Sequence, residues 1–209
     1  MSLPITGPRR PMTPEQAAAM PPGLWLAGAL GPRRRDGAVV RWGTDPDHLV
    51  TVPAGVRWDV IAMPHGTGTR VLEELLGAAQ SEEVGPVLAD TRYGCSYWLI
   101  PLGSFPTCRA MAPQVQLFLP GQGLQVPDPD PDPDAPGAEG EVVPSVTWVH
   151  WPTTTGTLTH PRRLAGLLAS VRRTRKPSRC LAATMRRPGA CSRRPPHART
   201  RPPWGQNTG

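Results

Sequence analysis

A chain of 209 residues with 29 prolines and 22 glycines has room for one ordinary domain with long irregular edges. The net charge of +7 is a composite: residues 172–209 hold 11 Lys and Arg and no acid, whereas residues 1–171 hold the other 12 bases and all 16 acids. A body of net charge −4 therefore precedes a strongly basic tail, which excludes any argument from the overall pI to a nucleic-acid-binding body.

Arginine outnumbers lysine 22 to one, a bias that very GC-rich coding DNA produces without selection for phosphate binding. The cysteines at 95, 108, 180 and 191 form no C-x-x-C and have no His at finger spacing, so a structural zinc site is not expected. No apolar run reaches the length that spans a bilayer. Arg9-Arg10 is followed by Pro11, Pro14, Pro21 and Pro22 in place of an apolar signal core, so it does not read as an export signal. The expectation is a reduced, cytoplasmic protein with no membrane partner.

Residues 1–12 are Pro-rich and aperiodic, which predicts a disordered N-terminus. Thr13-Pro14-Glu15-Gln16 then supplies a cap, a proline for the first helical position and a glutamine for a capping box, predicting a short helix that Pro21-Pro22-Gly23 ends. A brief apolar segment, Leu24 to Ala27, leads to Arg33-Arg34-Arg35-Asp36-Gly37, read as a basic turn, with Ala38 to Trp42 as the strand after it. His48 to Val52 reads as the next strand. Residues 56–63 read as the central one.

Gly66-Thr67-Gly68-Thr69 carries neither a Gly-Lys-Ser/Thr sequence nor a G-x-G-x-x-G, so it reads as a plain strand-to-helix turn and not as a phosphate loop. The helix it opens has Val71, Leu72, Leu75 and Leu76 on one expected apolar face. Strand signals at 86–90 and 97–102 flank Thr91-Arg92-Tyr93-Gly94 and predict an antiparallel hairpin, and two further strand signals lie at 115–119 and 124–127. The Asp-Pro repeat inside 127–141 forbids helix and ladder alike and predicts an extended acidic insert; with no glycine turn and no closing Glu it does not read as a calcium loop. Val146 to Trp151 is the last strand signal, and Pro161 opens a helix carrying Leu164, Leu167, Leu168 and Val171. Residues 172–209 read as a disordered Arg-rich tail.

These signals together predict an α+β domain over residues 13–171, a mixed or antiparallel sheet with a few short helices packed on it. Of the seven tryptophans, six fall on or beside apolar segments, where such rings fill a core more often than they stack on bases.

The order of these segments resembles the N-terminal domain of bifunctional DNA primase/polymerase proteins, particularly the short divergent versions of high-GC actinobacteria. The family's W-G-x-x-P-D-like segment is similar to Trp42 to Asp47, and its T-G-x-x-x-x-x-V-L-D-V-D-like strand to Val52 to Met63. A T-x-x-G-G-x-H-x-Y-F-like hairpin matches Thr91 to Leu99, a G-x-G-x-x-V-x-P-P-like strand Gly121 to Pro127, and a Trp-containing strand before a T-G-x-L-x-x-P-like turn Trp148 to Pro161.

The resemblance implies nucleotidyl transfer with two divalent metals held by acids, and a histidine on the incoming nucleotide. Here the chain departs from the family. Where the strand should carry two carboxylates two residues apart it has Ala62 and Pro64, and Ser96 stands at the hairpin histidine. Asp59, His65, Asp90 and Ser96 remain as candidate catalytic residues, with no metal ligand set and no cofactor expected unless Mg²⁺ serves an unusual site.

Cys95 beside Ser96 lacks an evident base, and the histidines at 48, 65, 150, 160 and 197 have no H-x-x-x-H spacing. Three functions follow as alternatives. One is a catalytically inactive primase/polymerase-like module that touches DNA or RNA through Arg57, Arg92 and the tail residues Arg172, Arg173, Arg175 and Lys176. The second is a structural or protein-interaction domain with no nucleic-acid role. The third is an active nucleotidyltransferase with a non-standard site.

Overall fold

A computed structural model of the chain describes residues 12–45, 48–78, 81–109, 111, 113–130 and 144–171. The expected disorder of residues 1–11, of most of the acidic insert and of the whole basic tail lies outside the described residues.

Helix α1 (Pro14–Ala18) begins as its sequence requires: the Thr13 hydroxyl accepts from the Gln16 N–H, and the Gln16 side chain accepts from the Thr13 N–H. Helix α2 (Pro22–Ala27) turns the Leu24 to Ala27 segment inward, burying Trp25, Leu26 and Ala27. A short 3₁₀ turn, Gly28–Leu30, follows.

The first correction comes next. Residues expected to form a basic turn and a strand form one helix, α3 (Pro32–Thr44), and Asp36-Gly37 lies inside it. The run Ala38-Val39-Val40-Arg41-Trp42 looks like a strand, but its decisive spacing is Ala38 to Trp42, an i,i+4 pair that the helix buries together while Val40 stays 65% exposed. Pro32 supplies the start, and the Trp42 indole N–H donates to the His48 carbonyl at 3.1 Å, which fixes the helix end to the chain that follows.

Strand β1 (Val50–Pro53) begins two residues later than expected at His48. Strand β2 (Trp58–Pro64) is the central strand foreseen over 56–63, and it runs straight into helix α4 (His65–Gly77). Gly66 to Thr69 are thus the first turn of that helix, not a loop. Val71, Leu72 and Leu75 are buried as expected, whereas Leu76 turns outward at 39% exposure. Strands β3 (Val87–Asp90) and β4 (Cys95–Pro101) form the predicted hairpin. Helix α5 (Phe105–Arg109), strand β5 (Gln116–Leu117), strand β6 (Gly123–Val126), strand β7 (Val146–His150) and helix α6 (Pro161–Val171) complete the order.

Five strands make one antiparallel sheet in the order β5-β2-β4-β3-β7, and β1 pairs with β6 in a separate antiparallel ribbon. Strands β2 and β3 run the same way with β4 between them, and β4 and β5 run the same way with β2 between them. The chain from β2 to β5 is therefore two interlocked split β-α-β units, the ferredoxin-like arrangement, and β7 extends its β3 edge.

Side-chain parity sorts the core into two layers. Ile61, Met63, Val87, Trp98 and Ile100 face α4, α5 and α6. Trp58, Val60, Ala62, Leu88, Tyr97 and Leu99 face the N-terminal helices and the β1–β6 ribbon. With both faces covered, β2 and β4 are apolar runs without alternation, and neither strand offers an open face for stacking bases. Trp25, Trp42, Trp58 and Trp98 are at most 4% exposed, so these rings are core. Among the described residues no helix is long and apolar enough to cross a membrane.

Candidate functional site

The four catalytic candidates do not converge. Asp59 lies near the start of β2, opposite Ile100, on the face covered by α5. It is 3% exposed, and its Oδ2 accepts the Ser104 N–H at 2.9 Å while the Ser104 hydroxyl donates to the Pro101 carbonyl, so the carboxylate ties down the turn between β4 and α5. Burial raises its carboxyl above the usual carboxylate value, against the opposing pull of the Ser104 and Gly103 N–H groups. Cys108, buried beside it on α5, is pushed up to about 11 by its own burial and then by the Asp59 charge, so it is an inert thiol.

Asp90 ends β3 at the other end of the sheet and points to the other face. In register it stands opposite Cys95, which stands opposite Pro64, five residues along β2 from Asp59 and thus roughly 17 Å away along the strand. Its two oxygens accept a fork from Arg92, Nε to Oδ1 at 3.0 Å and Nη2 to Oδ2 at 2.8 Å, and Oδ1 also accepts the Arg92 backbone N–H at 3.0 Å. The same Nη2 reaches Gln125 Oε1 at 2.9 Å on β6, joining the hairpin turn to the ribbon.

His65 is exposed at the start of α4, with its backbone N–H on the Gly94 carbonyl at 2.8 Å. Ser96 is 1% exposed and accepts the Trp98 indole N–H at 3.3 Å. It faces α4, where a Cβ at Gly68 would overlap its hydroxyl, so Ser96 is a packing residue at a close helix-to-strand contact. Because Ser96 is odd in register to Ala62, it is on the wrong face to join a site there.

The proposed nucleic-acid contacts in the body are also engaged. The Arg57 guanidinium lies so close to Gly28 that a methyl there would overlap it, and its Nη1 donates to Met12 Sδ at 3.6 Å. Arg92 is held by Asp90. The four tail residues at 172, 173, 175 and 176 lie outside the described residues. Among the described residues no three His, Cys, Asp or Glu side chains are grouped to hold a metal, and Asp59 and Asp90, on opposite faces and at opposite ends, do not fit a two-metal centre.

A different feature escaped the sequence reading because it depends on α3 being a helix. Arg34, Gly37, Ala38 and Arg41 fall on one helical face and, with Leu30, His48, Leu49, Val50 and Thr51, line a groove of about 390 Å³ between α3 and β1. Arg41 Nη1 lies 3.4 Å from His48 Nε2, and His48 Nδ1 lies 4.0 Å from Asp45 Oδ2. A guanidinium has no acceptor, so in this contact Arg41 is the donor. Comparison with family models, curated proteins and solved structures gave no match to this chain.

Proposed function

We propose that this chain is a primase/polymerase-like domain without nucleotidyl transfer, serving in the cytoplasm as an accessory module that binds nucleic acid. The observation that carries the reading is the company Asp90 keeps. Ala62, Pro64 and Asp90 share one face of the sheet, and the family resemblance calls for acids at the first two positions. With alanine and proline there, Asp90 lacks the two acids the resemblance calls for and is neutralised by the Arg92 fork, and Asp59, three residues before Ala62, points to the opposite face. One neutralised carboxylate leaves too few hard oxygen ligands for Mg²⁺.

In this reading the nucleic-acid contact belongs chiefly to residues 172–209, whose 11 cationic groups have no acid among them. Salt titration of DNA binding tests it. The full chain is expected to bind with a steep slope, since each neutralised phosphate contributes about −0.9 to log K against log salt, and a chain ending at Val171 should lose most of that slope.

The engagement of Arg57 with Gly28 and Met12, and of Arg92 with Asp90, favours a second reading, a structural or protein-interaction domain with no nucleic-acid role. Full-length protein that binds DNA weakly and without salt dependence would favour it over the first.

A further inference from the structure

We propose that an uncharged apolar corner, at the end of the sheet where β2 begins, is a docking site for the chain's own residues 180–185. Neither the tail's charge nor the sheet carboxylates enter, so the site stands apart from the reading above. Among the described residues seven large apolar side chains are exposed, and three of them, Val56 at 47%, Leu102 at 52% and Leu119 at 66%, fall on turns that meet at this end. Trp58 pairs with Pro101, the Phe118 N–H donates to the Val60 carbonyl at 3.0 Å, and a Cβ on Gly55 would overlap Pro120. The β1–β2, β4–α5 and β5–β6 turns are therefore neighbours.

The eight residues at 55–56, 102–103 and 119–122 include no charged side chain. The other exposed apolar side chains, Val40, Leu76, Tyr93 and Val149, lie on separate elements, as single hydrophobics do on any protein surface. A contiguous uncharged group of them marks a surface that something covers.

Size selects the occupant. A stable dimer covers about 20–30 residues a side, and this corner offers less than half of that. A run tethered to the same chain needs far less contact, because a short tether holds it at an effective concentration in the millimolar range. Beyond Val171 one run fits. Cys180-Leu181-Ala182-Ala183-Thr184-Met185 carries no charge and no proline and holds two of the tail's three large apolar side chains; the third, Trp204, stands alone after Pro202-Pro203. Helix α6 packs on α5, which begins three residues after Leu102. Cys180 is nine residues beyond Val171, a reach of up to about 30 Å against a length of roughly 16 Å for α6, so the corner is within range whichever way α6 points.

Hydrogen exchange of the full chain, read by mass spectrometry beside a synthetic peptide of residues 172–209, tests the proposal. The amides of 180–185 are expected to exchange at least about tenfold more slowly in the chain than in the peptide. Leu102→Asp combined with Leu119→Asp should return them to the peptide's rate without lowering the melting temperature, since both side chains are on exposed turns. Val149→Asp, also exposed but on β7, should leave the protection intact, and Leu181→Asp should release the run. Equal exchange in chain and peptide overturns the proposal. So does protection that survives the paired substitution, or protection that grows with protein concentration, which would place the run on a second copy.

Discussion

The carboxylates of Asp59 and Asp90 leave the same five-stranded sheet from opposite ends and toward opposite faces, one tied to the Ser104 N–H and the other to the Arg92 fork. Each is a buried acid whose partners account for its presence. The three-residue step from Asp59 to Ala62 reverses the side-chain direction, so no local adjustment of β2 brings the two acids together.

Asp59 makes a prediction about pH. Its folded carboxyl titrates above its ordinary value of 3.8, chiefly through burial. The folded state therefore binds more protons than the unfolded state between the two values, and the stabilising contribution is full below the ordinary value and lost as pH rises through the folded one. Asparagine does not titrate. The stability of the wild type relative to Asp59→Asn, followed by thermal melts from pH 3 to pH 7, should therefore fall as pH rises; a relative stability that rises across that range would contradict the assignment.

Arg92→Ala should cost about 1–3 kcal/mol in denaturant melts. The substitution leaves Asp90 buried without its fork, while the half-exposed position of Arg92 moderates the loss. Arg92→Lys should recover less than half, because one ammonium cannot serve both oxygens and Gln125 together. An unchanged melting curve for Arg92→Ala would show that the pair contributes nothing to folding.

Gly68→Ala should destabilise by about 1–3 kcal/mol through overlap with the Ser96 hydroxyl. Adding Ser96→Gly should return most of that loss, a coupling readable in a double-mutant cycle. Independent, additive effects would mean that α4 and β4 do not meet at this point.

The long central elements were legible because several signals agreed. The capping box at Thr13, the apolar run of β2 and the i,i+3,i+4 apolar spacing of α4 each predict the element found. Helix α3 was misread because Asp36-Gly37 imitates a hairpin turn and Val39-Val40 imitate a strand, while the Ala38 and Trp42 contacts that decide the matter come from distant parts of the chain. The groove was hidden for the same reason, since Arg34 and Arg41 become neighbours only on a helix. Asp59, His65, Asp90 and Ser96 stand out in the sequence as polar groups on apolar strands or at their ends, but strand register, which sets face and end, is not written in any one strand.

Asp59 and Asp90 each tie neighbouring segments of the fold together, and we propose that they hold no catalytic metal. Primer extension by the full chain, with Mg²⁺ and with Mn²⁺ on a primed DNA template, tests it most directly. The account predicts no extended product. Template-dependent synthesis that disappears in Asp59→Ala or Asp90→Ala protein that still melts as a folded domain would contradict it.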